Sequence, residues 1–215
     1  VMDLPASLEQ HPAPEGALAF SMDGSDVGRV EAAFAALGGL WPALDGFVNL
    51  AGFMKGWHRI ADMPVEIFDE VIQGNLRTHF LCARAALPLL HAAPHGSMVN
   101  VSSTLGIDVS KGYVHYSAAK AGIIALTKGL ARENAPKVRV NALAPGLADT
   151  AFLVGGTGRE PVFDAMDPKL YGARVPLKRV AVADDMVGPI MFLLGHASRY
   201  MTGETMIVDG GVYVQ

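Results

Sequence analysis

Short apolar runs of strand length recur along this chain with long helix-patterned segments between them, and that order admits very few architectures. The runs at 46–50 (G-F-V-N-L), 97–101 (S-M-V-N-V), 138–143 (V-R-V-N-A-L) and 205–208 (T-M-I-V) read as buried strands, and 16–22 (G-A-L-A-F-S-M) as a further short one. Helical patterns fill the gaps at 26–37, 64–90, 114–132 and 184–194. Asp26 is placed to cap the first of these, Gly38-Gly39 to stop it, and Pro64 to start the second, whose apolar spacing runs through Ile67, Val71, Leu76, Phe80 and Leu87. Strands alternating with helices predict βαβ units, hence an α/β fold with a doubly wound parallel sheet. Residues 1–215 form one domain on this reading, with no internal repeat. Residues 151–172, with G-G-T-G at 155–158 and weak periodicity, form a mobile insertion placed to act as a substrate lid.

Composition narrows the function classes. Hydrophobic residues make up 51% and charged residues 18%, which supplies a core and excludes global disorder. A net charge of -4 leaves no footprint for nucleic acid. No run approaches the ~18 apolar residues of a membrane span, and a cytoplasmic location follows by default. The single cysteine, Cys82, rules out an internal disulfide and reads as buried filler. The seven histidines form no metal-ligand pattern, so no metal is expected. His58, His91 and His95 read as surface loop or helix-end residues, and His115, beside Tyr116 and within reach of a substrate there, reads first as a helix-start surface residue. Leu105, Trp57 and Phe152 are candidate walls of an apolar pocket, or plain core.

Chemistry enters with three residues. Tyr116 and Lys120 stand four apart at the start of a helical pattern, and Ser103 ends a strand thirteen residues before Tyr116. Residues at i and i+4 share a helix face, so an ammonium can sit beside a phenol. A phenol with an ordinary pKa near ~10 is a poor proton shuttle at neutral pH. A cation close by favours the phenolate and brings it toward the working range. As bare spacing, the pair reads more readily as two surface neighbours on a helix than as a catalytic pair.

Further motifs, in order, settle the choice. N-L-A-G at 49–52 is similar to N-N-A-G of the short-chain dehydrogenase/reductase family, Asn75 matches the asparagine of its next helix, and N-V-S-S at 100–103 precedes Y-S-A-A-K at 116–120 with the family's spacing. P-G-L-A-D-T at 145–150 looks like its P-G-x-x-x-T loop, and P-L-K-R-V at 176–180, T-G-E at 202–204 and V-D-G-G at 208–211 complete the series. The chain thus resembles that family from Val1 onward. The resemblance implies a Rossmann-like fold and an oxidoreductase moving hydride between NAD(P) and a secondary alcohol or ketone. It implies a catalytic set of Asn75, Ser103, Tyr116 and Lys120, with Tyr116 as general acid or base, Lys120 also on the nicotinamide ribose, and Asn75 holding a water that links Lys120 to solvent.

For the cofactor, the resemblance implies Asp23 and Gly24 at the adenine, Asn49, Ala51 and Gly52 at the adenosine ribose, and Pro145, Gly146, Leu147 and Thr150 around the carboxamide. Asp3 would accept from the ribose 2′-hydroxyl and repel a 2′-phosphate, favouring NAD over NADP. Asp3 also reads as a solvated carboxylate, Asp23 as a turn cap, and Thr150 as a helix N-cap. A homodimer or homotetramer is expected, its long helices 66–90 and 114–132 pairing across a two-fold.

Two positions and one missing motif depart from the pattern. Leu50 replaces the second asparagine of N-N-A-G, Gly24 replaces the usual valine, and the phosphate loop T-G-x-x-x-G-x-G is absent. The expectation is therefore a doubly wound sheet lacking its first strand, first helix and most of its second strand, with the loop encoded upstream. The strand at 16–22 would then have no neighbour, and the strand at 46–50 would expose an apolar edge. Two alternatives remain: a 3-oxoacyl-carrier-protein reductase, and a non-catalytic binding or scaffold protein that has lost the phosphate loop.

Overall fold

The computed structural model describes residues 1–154 and 168–213. In order these form β1 (Met2–Asp3), α1 (Pro5–Gln10), β2 (Phe20–Ser21), α2 (Val27–Leu40), β3 (Gly46–Asn49), α3 (Val65–Ile72), α4 (Thr78–Ala92), β4 (Gly96–Val101), α5 (Val114–Asn134), β5 (Val138–Pro145), β6 (Ala148–Asp149), α6 (Pro168–Arg174), β7 (Ala181–Val182), α7 (Asp184–Leu194) and β8 (Thr205–Val208). The main sheet runs β3-β4-β5-β8 and is wholly parallel. Each step in it is a crossover through helix, as the alternation of runs predicted.

All six residues of β4 are buried, as befits a parallel strand covered on both faces. Met98 points into one apolar layer with Val138, Val140, Leu81, Leu90 and Phe34, which packs α2, α4 and the end of α5 against the sheet. Its neighbours Val99 and Val101 point the other way, onto Leu143 and Leu193 of β5 and α7. This period-two division of one strand between two cores is what gives the sheet helices on both sides.

A second, two-stranded sheet pairs β1 with β2, Met2 opposite Phe20 and Asp3 opposite Ser21. The run at 16–22 is therefore strand only at Phe20–Ser21, because its partner supplies just two residues; it has a neighbour nonetheless, which corrects the expectation of none. It is not hydrogen-bonded to β3, whose Phe47 and Val48 are half-buried at the edge of the main sheet.

Two further expectations are corrected, the stop of the first helix and the continuity of the pattern at 64–90. Asp26 caps α2, its carboxylate accepting from Arg29 N at 2.9 Å. The helix nevertheless runs through Gly38-Gly39 to Leu40, because Gly38 lies under Leu89 of α4 and packing outweighs propensity. The helical pattern at 64–90 is interrupted by a π turn at Gln73–Arg77, which joins α3 to α4. Of the insertion at 151–172, Ala151–Val154 form a 3₁₀ turn and Pro168–Arg174 a helix, while the glycine cluster at 155–158 lies outside the described residues.

Arg139 on β5 ties the main sheet to the segment that returns to β8. Its guanidinium donates to the carbonyls of Leu193, Leu194, Gly195, Ser198 and Met201 and to the hydroxyls of Ser97 and Ser198. Those of Leu193, Leu194 and Gly195 are the orphan carbonyls of the α7 C-terminus, where a cation also complements the helix dipole. Arg139→Met removes the guanidinium from all of them, leaving only the serine hydroxyls and the Ser198 N–H on Leu193 O and Gly195 O, and is expected to cost about 2–4 kcal/mol. Urea denaturation would show this as a lower midpoint at unchanged slope; an unchanged midpoint would make the hub dispensable.

Candidate active site

In a parallel sheet every strand delivers its last residue to the same edge. The segments singled out in the sequence sit there: Asp3 ends β1, Asp23 follows β2, 49–52 follow β3, 101–103 close β4, and 145–150 leave β5. Such a carboxyl edge is where open α/β sheets bind ligands.

The first turns of α5 bring Tyr116 and Lys120 inward, 5% and 3% exposed. Lys120 Nζ donates to Val101 O at 3.1 Å and lies 5.4 Å from the centre of the Tyr116 ring. Ser102 Oγ donates to Lys120 O at 2.8 Å, so the first serine of the pair fastens the helix to the strand. Ser103 Oγ accepts from Leu105 N at 3.1 Å and is hydrogen-bonded to the Tyr116 phenol. This close approach needs Gly106, where a Cβ would stand 2.8 Å from the Lys120 carbonyl carbon.

Electrostatics here differ from what spacing alone suggests. Burial pushes the Tyr116 phenol above its ordinary value, and the Ser103 hydrogen bond opposes this only in part. Burial also pushes Lys120 down to about 7. The same dry site disfavours both charged forms, so within this chain alone the ammonium does not bring the phenol toward neutrality.

Asn75 occupies the π turn and is fully buried. Its amide donates to Phe53 O and Val71 O, both at 2.9 Å, and accepts from Phe53 N at 3.3 Å. The amide therefore splices the segment after β3 to the helix. Gly52 lies against this splice: a Cβ there would come 2.5 Å from Asn75 Oδ1 and 3.3 Å from Lys120 Nζ. Asn49 is buried and donates through Nδ2 to His79 O at 3.1 Å, while Ala51 is exposed.

His79 was not singled out in the sequence. It is fully buried, with Nδ1 2.9 Å from Asn75 O and Nε2 3.0 Å from Asn49 O. Burial, then the nearby Lys120 charge, pushes it down to about 3 against the pull of surrounding carbonyls. Its only sequence signal is an imidazole in an apolar row, four residues after Asn75.

Tyr116 packs with Phe53, Met54, Val71 and Ala119, flanked by Leu105, Tyr113 and Phe152, so Leu105 and Phe152 do wall the phenol. The Phe152 ring centre is 6.3 Å from that of Tyr116. Trp57 is half exposed and lies against Gly112. His115 is not a surface residue: it is fully buried, with Nε2 3.2 Å from Lys55 O, because the segment after β3 folds over the start of α5.

The remaining picks hold the rim. Gly146 N donates to Val208 O at 2.9 Å, and a Cβ on Gly146 would meet Asp209 Cβ at 2.8 Å. Pro145 pairs with Val208, Leu147 O accepts from Ala181 N, and Thr150 O accepts from Leu153 N. Asp23 accepts from Ser25 N and Oγ at 2.9 and 2.7 Å, holding the turn before α2. Asp3 accepts from Leu4 N at 2.7 Å and is exposed. The Asp3 and Asp23 ends lie on the separate β1-β2 sheet, joined to the π turn by the Arg77 guanidinium on Ser25 O.

These residues fit a nicotinamide dinucleotide at its two riboside ends: bare backbone at Gly52 and Gly146, Lys120 beside the first of them, and carboxylates at Asp3 and Asp23. Among the described residues no glycine-rich turn opens a helix toward the pyrophosphate; α1 has six residues behind Leu4, and Asp26 takes the N-terminus of α2.

A family model described as enoyl-(acyl carrier protein) reductase matches residues 4–213. The chain is 36% identical over 183 residues to 4-formylbenzenesulfonate dehydrogenase of Comamonas testosteroni, covering 85% of this chain and 70% of that one. It is 32% identical over 191 residues to a 3-oxoacyl-acyl-carrier-protein reductase of Staphylococcus aureus, covering 88% and 74%. A solved structure from Burkholderia xenovorans, described as a short-chain dehydrogenase/reductase, superposes with a TM-score of 0.79 at 29% identity, over 91% of this chain and 75% of that one.

Two outcomes follow from the site's packing and charge. A Cβ on Gly24 would fall 2.6 Å from Thr78 Cγ2, which explains glycine there. Gly24→Ala should therefore cost about 1–3 kcal/mol, and Thr78→Ser, which removes only that methyl, should recover most of it in the double variant; additive costs in thermal denaturation would refute the clash. Lys120 titrates near 10.5 unfolded and about 7 folded, so between those values the unfolded chain binds the extra proton. Stability should rise from pH 7 to about 9.5, and Lys120→Met should flatten the rise. Equal slopes in the two proteins would mean that Lys120 keeps its charge in the fold.

Proposed function

The chain belongs to the short-chain dehydrogenase/reductase family, and from that premise we propose that Tyr116 exchanges the proton of a secondary alcohol or its ketone while Ser103 holds the reacting oxygen. The chain is an NAD(P)-dependent oxidoreductase acting on CH–OH or carbonyl groups. The observation that carries the residue assignment is the meeting of Ser103, Tyr116 and Lys120 at the end of β4, where the two polar heads are buried among apolar side chains.

The bound cofactor supplies or accepts the hydride at the carbonyl carbon. In reduction, Tyr116 donates its phenolic proton to the oxygen as negative charge develops, and Ser103 donates a hydrogen bond to the same atom. In oxidation both transfers run backward, with tyrosinate as base. Lys120, when protonated, opposes the effect of burial on the phenol, and its own pKa near 7 lets it take up or release a proton at working pH. Asn75 serves the site by holding Phe53 and the backbone of Gly52 against Lys120.

The apolar wall of Phe53, Leu105 and Phe152 favours a substrate with an apolar or aromatic body. The Comamonas relative is named for an aromatic aldehyde and the Staphylococcus relative for an acyl thioester; both classes belong in the assay panel. Asp3 favours NAD over NADP. A homodimer or homotetramer through α4 and α5 is supported by Phe80, 46% exposed on α4. No described helix is long and apolar enough to cross a membrane.

Tyr116→Phe should lower turnover about 10²–10⁴-fold or more on any substrate found in a panel of ketones, aromatic aldehydes and 3-oxoacyl thioesters, with NADH affinity kept. Unchanged turnover would remove Tyr116 from the chemistry. Cofactor binding without turnover on any panel member would favour the scaffold reading.

A further inference from the structure

We propose that His79 is the positioning residue of the cofactor segment: its Nε2 clamps the Asn49 carbonyl and so fixes residues 49–52 against the Asn75 turn. The proposal rests on reading 49–52 as the stretch that flanks the adenosine ribose.

Three observations carry it. The contact is reciprocal, since Asn49 Nδ2 donates to His79 O at 3.1 Å while Nε2 of His79 stands 3.0 Å from Asn49 O. One imidazole also reaches two elements, because its Nδ1 is 2.9 Å from Asn75 O. And the ring is fully buried beside aliphatic neighbours on α4, where a valine would fill space without burying two polar nitrogens. An apolar filler therefore does not account for it, whereas a strut between β3 and the π turn does. Burial and the Lys120 charge keep the ring neutral. A neutral imidazole has one N–H for two carbonyls, so the two contacts are unequal. The rim segment that most needs fixing is the one after Asn49, where Leu50 is 62% exposed. We place the proton on Nε2.

Isosteres separate the contacts. The amide nitrogen of Gln falls near Nε2 and that of Asn near Nδ1, while Val keeps neither. Amide hydrogen exchange on the whole chain, followed at residues 50–53, reads the clamp without cofactor; NADH titration by fluorescence reads its consequence. His79→Val and His79→Asn are expected to speed exchange at 50–53 by about tenfold beyond any global change, with His79→Gln close to the parent and NADH dissociation constants in the same order. Uniform acceleration across the chain in all three variants would make His79 a core filler and overturn the proposal. Rescue by Asn instead of Gln would move the clamp to Asn75 and overturn the assignment to Asn49. The expected exchange pattern with one NADH affinity throughout, or with no NADH binding by the parent, would overturn the cofactor reading of 49–52 while leaving the strut in place.

Discussion

The proposed site depends on how closely α5 lies against the end of β4. Ser102 reaches up to the Lys120 carbonyl, Lys120 reaches down to the Val101 carbonyl, and Gly106 lets the two backbones meet. Each bond here joins a buried group to a buried group, so the contact holds with little freedom. Tyr116 inherits its place from it, one turn earlier on the same helix. Ser103 inherits its place as the next residue of the same strand. A phenol and a hydroxyl from distant parts of the sequence meet because a lysine and a serine beside them stitch strand to helix.

Much of this was legible in advance because strand ends advertise themselves. Apolar runs such as S-M-V-N-V can only be buried strands, and whatever follows them must emerge at the carboxyl edge. The periodicity of α5 then puts Tyr116 and Lys120 on one face. What spacing could not convey is the dielectric at that face. The neighbouring ammonium was expected to lower the phenol, yet desolvation acts on both groups and drives each toward its neutral form. Burial is a tertiary property, and two residues four apart carry no record of it. The same blindness explains His115, placed at a helix start as a surface residue but roofed by the 55–58 segment. It also explains His79, whose partners Asn49 and Asn75 come from separate elements.

The short sheet of β1 and β2 shows a different limit. Seven residues at 16–22 have strand composition, but only two are strand, because a strand is as long as the partner beside it. Composition reports what a segment can do; pairing decides what it does. Asp3 and Asp23 nonetheless reach the same edge as the rest, since Met22, Phe20 and Met2 pack into the apolar layer shared by α2 and α4. Side-chain packing positions these carboxylates where backbone pairing with the main sheet is lacking.

The turn at Gln73–Arg77 has a consequence for how related chains should be compared. A π turn holds one residue more than the α turn it replaces, so everything after it is rotated by about 100° relative to an unbroken helix. Loss of one residue between Gln73 and Arg77 would leave one unbroken, more regular helix, and would swing Asn75 away from Phe53 while carrying His79 off Asn49. A one-residue gap in the middle of this helix, in any aligned relative, is thus a statement about the geometry of the segment after β3 that this turn holds, and length here is as much a determinant as residue identity.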